Sequence, residues 1–336
     1  MNPLRVLFIG GSGIISTACV AQALACGHEV HVLNRGASTL RPVPEGVVVH
    51  RADVRDAASV AAAVGDLSFD VVCQFLGFVP EQVLADVAFF AGRTEQYVYI
   101  SSASAYQTPP TRLPVTESTP LRNPYWQYSR DKIACEDALV AEYRRSGFPV
   151  TIVRPSHTYD PTMVPFDGGW TVVDRMRRGL EVVVPGDGTS LWTITHHTDF
   201  ARGFVGLLGR REAIGEAFHI MGDEAPTWNA IYTLIGHAAG VEPRLVHVPS
   251  DAVAAVDPEW GSALLGDKAN SMVFDTTKLR SLVPDFGARV PFEQGAREII
   301  AWHDAHPEAQ AVDPHYDRLM DLLVDAYRPR DLRTAR

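Results

Sequence analysis

A glycine-rich turn at residues 9–17 (Ile-Gly-Gly-Ser-Gly-Ile-Ile-Ser-Thr) constrains the fold more than any other stretch of this sequence. The apolar run at 4–9 predicts a buried strand before it, and the residues after it have helical composition. Gly10 permits a tight turn, and Gly13 lets a pyrophosphate approach the amino end of the helix, where free N–H groups favour anions. Ser16 takes the place of the usual third glycine and is still small. The turn favours a dinucleotide site, although an ordinary glycine-rich turn is the alternative.

Strand-like and helix-like segments alternate after this turn. This alternation predicts an α/β fold with a Rossmann-type, doubly wound parallel sheet. The predicted strands are 29–33, 47–50, 70–77, 96–100 and 151–155, and the predicted helices are 57–64, 83–91, 128–145, 292–303 and 314–327.

The end of the second strand, about 20 residues after the glycine turn, is where the adenosine ribose of a dinucleotide lies. An acidic residue there would accept the 2′-hydroxyl of NAD and repel the 2′-phosphate of NADP. This chain instead has neutral Asn34 and cationic Arg35, with Ser38 as a further donor. The pattern favours NADP over NAD. In the alternative, Arg35 is a solvated loop residue and Asn34 binds the ribose of NAD.

The ends of the third and fourth strands carry further candidates. Asp53 could accept a hydrogen bond from the adenine amino group, or it could cap the helix at 57–64. Gly77 ends the fourth strand close to the expected path of the nicotinamide ribose.

Tyr128 and Lys132 are four residues apart on a predicted helix and therefore share one face. A phenol has a pKa of about 10, and a nearby ammonium lowers that pKa because it stabilises the phenolate. The segment 101–106 supplies serine hydroxyls at the end of the fifth strand. Together these groups predict a proton-transfer site beside a hydride acceptor, whereas a Tyr–Lys pair alone is often only a surface feature.

Five motifs, taken as a set, resemble the extended short-chain dehydrogenase/reductase family of NAD-dependent epimerases and dehydratases. They are Gly10-x-x-Gly13, Asp53-Val54, Ser102 four residues before Tyr106, Tyr128-x-x-x-Lys132 and Arg154-Pro155. The resemblance implies that Ser102, Tyr128 and Lys132 are catalytic. In that family the tyrosine moves the proton, the serine holds the substrate oxygen and the lysine also touches the nicotinamide ribose. The candidate cofactor-binding residues are Gly10, Gly13, Ile14, Ile15, Asn34, Arg35, Ser38, Asp53, Val54, Leu76, Gly77, Tyr128, Lys132, Pro155 and Ser156.

The resemblance also implies a smaller C-terminal substrate domain, because strict alternation ends after residue 155 and loops rich in glycine and proline follow. We expect a dinucleotide-binding domain at 1–155 and about 193–220. The substrate domain would comprise about 156–192 and 221–312, and 313–336 would form a C-terminal helix and tail.

One departure from the family concerns the substrate. Sugar-nucleotide enzymes of the family usually have an arginine after a Gly-Asp-Gly turn that binds the diphosphate, but Trp192 stands there in this chain. An indole cannot replace these charge-assisted contacts. The alternative is therefore a substrate without a nucleotide diphosphate, unless Arg175, Arg177 or Arg280 supplies the missing contacts to the diphosphate. The candidate substrate-binding residues are Ser104, His157 and Trp192.

Composition excludes several other classes of protein. A net charge of −10 argues against a general nucleic-acid surface, and we interpret the arginines at 328–336 as a solvated tail. No apolar run approaches the roughly 20 residues of a membrane span, and no signal peptide is apparent. The four cysteines (Cys19, Cys26, Cys73 and Cys135) are expected to be buried thiols, which suits a cytoplasmic protein. No metal site is predicted, since the histidines lack ligand-like spacing.

The sequence thus predicts an NAD(P)-dependent enzyme that transfers a hydride to or from a small, sugar-like substrate. The net reaction would be epimerisation or dehydration if the cofactor is recycled within one turnover, and reduction or oxidation if it leaves. The alternative is a non-catalytic, RNA-binding relative, although such relatives usually lack an intact Ser-Tyr-Lys set. The family further implies a homodimer through the helices at 83–91 and 128–145.

Overall fold

The computed structural model describes residues 2–328, which form eleven strands and twelve helices. The strands are β1 (Arg5–Ile9), β2 (Glu29–Asn34), β3 (Val48–Arg51), β4 (Phe69–Gln74), β5 (Thr94–Ile100), β6 (Val150–Val153), β7 (His157–Tyr159), β8 (Glu181–Pro185), β9 (Ile194–His196), β10 (Ala217–Phe218) and β11 (Arg244–Val248). The helices are α1 (Ile14–Ala25), α2 (Ala57–Val64), α3 (Pro80–Phe90), α4 (Gln127–Ser146), α5 (Trp170–Arg177), α6 (His197–Leu207), α7 (Trp228–Ala238), α8 (Ser250–Val256), α9 (Pro258–Ala263), α10 (Thr277–Leu282), α11 (Phe292–Ala305) and α12 (Pro314–Tyr327).

Seven strands form one parallel sheet in the order β10-β6-β5-β4-β1-β2-β3. The order reverses between β1 and β4, and ligands of such sheets bind outside the carboxyl ends of the strands at this point. The glycine turn follows β1 directly, so the turn lies at the reversal.

Helices cover both faces of the sheet, as the side chains of β1 show. Val6 and Phe8 pack with α1 and α6 on one face, while Leu7 and Ile9 pack with α3 and α4 on the other. All four side chains are buried. A strand buried on both faces has no polar alternation, which explains the continuous apolar run. The predicted doubly wound parallel sheet is confirmed.

The smaller C-terminal region has its own core. Here β8 pairs with β11 and β7 with β9, both in parallel. Four buried tryptophans from separate segments contribute to this core: Trp170, Trp192, Trp228 and Trp260. The proposed domain boundaries stay a prediction.

Three details differ from the sequence analysis or lie beyond the structure. Cys26 is exposed at the end of α1, whereas the other three cysteines are buried. Asp56 caps α2 by accepting a hydrogen bond from the Ala58 amide, so the capping role considered for Asp53 is wrong. The tail at 329–336 lies outside the described residues. Within residues 2–328, no helix is both long and apolar enough to cross a membrane.

Candidate active site

The glycine turn after β1 is packed so closely that side chains larger than hydrogen do not fit at its start. Gly10 has a φ of +93°, and a Cβ there would lie 2.5 Å from Cγ of Leu76. Ser16 is buried, donates to the Gly10 carbonyl over 2.7 Å and accepts from the Gly13 amide over 2.8 Å. Ser16 therefore ties the turn to α1 rather than merely replacing a glycine. Gly13 stays exposed at the amino end of α1, a geometry that fits a pyrophosphate.

A groove of about 560 Å³ runs from this turn along the ends of β2 and β4, and we call it the glycine-turn groove. Most of the predicted cofactor residues line it: Gly10, Gly13, Ile14, Ile15, Asn34, Arg35, Ser38, Val54, Leu76 and Tyr128. Asp53 and Gly77 do not line it. The Asp53 carboxylate accepts from the Arg55 amide, and the Gly77 carbonyl accepts from Lys132.

The far end of the glycine-turn groove is cationic. Arg35 is exposed there, and no acidic side chain is among the described residues that line the groove. Asn34 turns inward to accept from the Gly36 amide over 2.8 Å. Arg51, at the end of β3, was not among the predicted residues, yet a Cβ on Gly36 would lie only 3.3 Å from its Nε. Two guanidinium groups therefore border the turn after β2.

Ser102, just after β5, belongs to a chain of three hydroxyl groups. The Ser129 hydroxyl donates to Oγ of Ser104, and Oγ of Ser104 lies 2.8 Å from Oγ of Ser102. The Ser104 amide also donates to Oγ of Ser102 over 3.2 Å. With Ser104 as donor, these contacts leave the Ser102 proton available to a group in the cleft.

Lys132 is held on the first turns of α4, with its side chain buried under the sheet edge. Its Nζ donates to the carbonyls of Gly77 and Ile100, each over 2.8 Å. Burial lowers the pKa of Lys132 to about 8, while the charge interactions with Cys135 and then Glu136 act to raise it. The two carbonyls fix the ammonium between the ends of β4 and β5.

Tyr128 lies at the junction of α4 and the cleft, and its pKa differs from the sequence expectation. Burial raises the pKa of Tyr128 to about 12, although interaction with the Ser102 hydroxyl opposes this rise. Nζ of Lys132 lies 5.8 Å from the Tyr128 ring centroid. Desolvation of the phenolate thus raises this pKa, in the direction opposite to the effect expected from the ammonium.

A second cavity, of about 330 Å³, adjoins Tyr128, and we call it the Tyr128 cavity. Nine predicted residues line it: Ile14, Ile15, Ser102, Ser104, Tyr128, Lys132, Pro155, Ser156 and His157. Burial, followed by the charge of Lys268, lowers the pKa of His157 well below its usual range, so its imidazole is neutral. Within residues 2–328, no cluster of His, Cys, Asp or Glu side chains could hold a metal ion.

Trp192 does not reach the Tyr128 cavity. It is buried behind His157, with the two ring centroids 4.3 Å apart, and its ring is tilted against that of Trp228 with the centroids 4.5 Å apart.

The arginines considered as replacements for the diphosphate-binding residue do not reach the cavity either, and each is held by acidic partners elsewhere. Arg175 pairs with Asp317 and Asp321, Arg177 with Asp304, and Arg280 with Asp223. None of these three arginines therefore compensates for the missing diphosphate-binding residue.

The residues that line the Tyr128 cavity but were not predicted include Trp126, Asp267 and Lys268. The sequence holds a signal for one of them. Lysine occurs only at positions 132, 268 and 278, and two of these three side chains line the cavity.

The glycine-turn groove and the Tyr128 cavity form one continuous cleft. They share a set of lining residues: Ile14, Ile15, Phe75, Phe78, Ile100, Tyr128 and Thr158. An extended ligand bound at the glycine turn can therefore end beside Tyr128.

Comparison with known proteins gives related sequences of several functions. The sequence pattern described as the NAD dependent epimerase/dehydratase family matches residues 6–220. The chain is 28% identical over 297 residues to the 2′-dehydrokanamycin reductase of Streptomyces kanamyceticus, covering 86% of this chain and 81% of that protein. It is 26% identical over 256 residues to the chloroplast stem-loop binding protein of 41 kDa b from Arabidopsis thaliana, covering 72% of this chain and 65% of that protein.

Solved structures match over nearly the whole chain. An epimerase from Methanothermobacter thermautotrophicus superposes with a TM-score of 0.75 at 18% identity, covering 92% of this chain and 94% of that one. At this identity the match concerns the fold.

Proposed function

The chain belongs to the NAD-dependent epimerase/dehydratase family, and we propose that it is an oxidoreductase that interconverts a ketone and a secondary alcohol on a sugar-like substrate. The observation that carries this proposal is the continuity of the glycine-turn groove with the Tyr128 cavity. When bound, the nicotinamide would supply or accept the hydride. Ser102, Tyr128 and Lys132 would act on the substrate oxygen at the same place.

The roles of these three residues follow from their contacts. Ser102 accepts from Ser104 and can donate its own proton to the substrate oxygen. Tyr128, with a pKa of about 12, is protonated near neutral pH and is suited to give its proton to a ketone oxygen that gains negative charge. Lys132 carries a positive charge between two carbonyls and is placed to bind a ribose hydroxyl and to stabilise the phenolate after transfer.

We further propose that the substrate carries no nucleotide diphosphate. Among the described residues that line the cleft, Arg35 is the only arginine, and it lies in the groove rather than in the Tyr128 cavity. A diphosphate needs several charge-assisted contacts, which arginine supplies best. The relative from Streptomyces kanamyceticus, which matches over most of both chains, is a reductase by name and supports reduction as the net reaction.

Two measurements test this function. Reduced nicotinamide should be consumed in the presence of free keto sugars, and mass spectrometry of the purified protein should find little retained dinucleotide. Epimerisation of UDP-glucose without net cofactor change, with tightly retained dinucleotide, would instead show a recycling enzyme. Tight RNA binding in a gel shift without nicotinamide binding would favour the second candidate, a non-catalytic role like that named for the Arabidopsis relative.

We also propose a homodimer formed through α3 and α4. The two helices pack side by side, with Val83 and Leu139 buried toward the sheet, while Leu84 on α3 remains 40% exposed. An exposed leucine on this helix pair is consistent with burial against a second copy. Light scattering at micromolar concentration should give twice the chain mass, and a monomer mass would contradict the proposal.

A further inference from the structure

We propose that Lys268, together with Asp267, determines substrate specificity by binding two neighbouring hydroxyl groups of an uncharged, polyhydroxylated ring across the cavity from Tyr128. This inference rests on the proposed function and names the substrate class of the same site. The observation behind it is the Lys268 ammonium, which lies in the cavity wall and has no hydrogen-bond partner among residues 2–328.

The side chain of Lys268 has little access to solvent and no close polar partner among residues 2–328. Its side chain is 10% exposed, and its nearest acidic atom, Oδ2 of Asp267, is 3.8 Å from Nζ. This distance exceeds a hydrogen bond, and Nζ has no hydrogen-bond partner among residues 2–328. Lys268 lines the Tyr128 cavity, so the three N–H donors of its ammonium are free to bind oxygen atoms of a ligand there.

Two aromatic rings frame this ammonium. Nζ lies 5.4 Å from the ring centroid of Trp192 and 5.9 Å from that of Trp126. Cation–π attraction stabilises the charge in this position without using its N–H groups. Trp192 was predicted to bind the substrate directly. Its role is instead indirect, because its ring stabilises the Lys268 ammonium.

The backbone before Lys268 is fixed to the catalytic region by Asn123. The Asn123 side-chain amide donates to the carbonyls of Gly266 and Ser104, over 2.6 and 2.8 Å. Gly266 packs so tightly on Trp126 that a Cβ there would lie 2.7 Å from Cβ of Trp126. The segment that carries Asp267 and Lys268 is thus held in a set position relative to Tyr128.

The hydrogen-bonding groups of Asp267 and Lys268 indicate the class of ligand that this site binds. Asp267 accepts hydrogen bonds and Lys268 donates them, so together they match adjacent hydroxyl groups, each of which can do both. Their charges cancel, which disfavours a phosphate beside Asp267 and an ammonium beside Lys268. Trp126 adds an apolar face for the C–H side of a ring, and a cavity of about 330 Å³ has room for one ring.

The test compares variants on substrates that differ only in charge. The probes are keto-inositol, its amino derivative and its phosphate derivative, each reduced with NADPH. Lys268→Met and Asp267→Asn should each raise the KM for keto-inositol about 10- to 100-fold, because each loses a hydrogen bond to a charged group. The Kd for NADPH should not change. Lys278→Met is the matched control, since Lys278 pairs with Glu216 away from the cleft.

The outcomes separate this inference from the proposed function. Unchanged KM values in both variants, a preference for the amino or phosphate derivative, or no reduction of keto-inositol would each overturn the substrate assignment. The proposed function fails if NADPH does not bind, or if no carbonyl compound of a wider panel is reduced. Lys268→Arg keeps the charge and should recover part of the affinity, whereas equal loss in Lys268→Arg and Lys268→Met would point to a structural role and contradict the proposal.

Discussion

Cofactor selectivity depends on the cationic end of the glycine-turn groove, and Arg35→Ala tests it. Arg35 is exposed beside Gly36, and no acidic side chain among the described lining residues would repel a 2′-phosphate. A hydrogen bond to a charged group contributes about 1.5–3 kcal/mol, and solvent exposure places Arg35 at the lower end of that range. We therefore expect NADPH to bind about tenfold more weakly to Arg35→Ala, and NADH affinity to change less than about twofold.

Fluorescence titration of both reduced dinucleotides into wild type and variant measures this effect. Arg51→Ala should have the same direction, because its guanidinium borders the same turn. Arg211→Ala removes one positive charge before β10 and serves as the control for net charge. The NADPH preference should also shrink as salt is added, since the contact is exposed. Tighter binding of NADH by the wild type, or unchanged selectivity in Arg35→Ala, would refute the reasoning.

The remaining predictions concern stability. Asp86 accepts from the Tyr97 hydroxyl and the Gln74 amide, and burial raises its pKa from 3.8 to about 6. The folded state therefore holds this proton more tightly than the unfolded state, so Asp86 contributes less stability as the pH rises from about 4 to about 6, by at most about 3 kcal/mol. Asp86→Asn keeps the acceptor without the charge and should be more stable than wild type to urea at about pH 8; equal stability there would contradict this account. The buried ion pair of Glu136 with Arg154 joins α4 to the end of β6. Glu136→Ala should cost about 3–5 kcal/mol in the same assay, because it leaves a buried charge unpaired; a loss below about 1 kcal/mol would show that water reaches Arg154.

Local sequence patterns predicted most of the fold. The helices at 57–64 and 314–327 occur with the predicted bounds, because apolar spacing and a polar cap define their ends. The central strands and the helix that carries Tyr128 also occur where expected. Asp53 and Asp56 show the limit of such patterns: both are good capping residues, and only the backbone geometry decides that Asp56 caps α2.

The far wall of the cleft could not be predicted from local patterns. Asp267 and Lys268 are more than 130 residues from Tyr128 in the sequence, and the amide of Asn123 brings their segment to the site. Trp192 stands where the resemblance leads one to expect a diphosphate-binding arginine, yet it is buried. The pKa of Tyr128 is raised because neighbouring segments exclude water from its hydroxyl. The spacing of residues along one helix does not reveal this burial.

The central claim is that Tyr128 moves the proton while the rest of the cleft binds the dinucleotide. Tyr128→Phe removes one hydroxyl and keeps the ring that lines both parts of the cleft. The most direct measurement is the rate of ketone reduction by Tyr128→Phe with NADPH bound, beside its NADPH affinity. We predict a rate lower by about 10²–10⁴-fold with NADPH affinity unchanged within about twofold. A variant that reduces the ketone at nearly the wild-type rate would contradict the account.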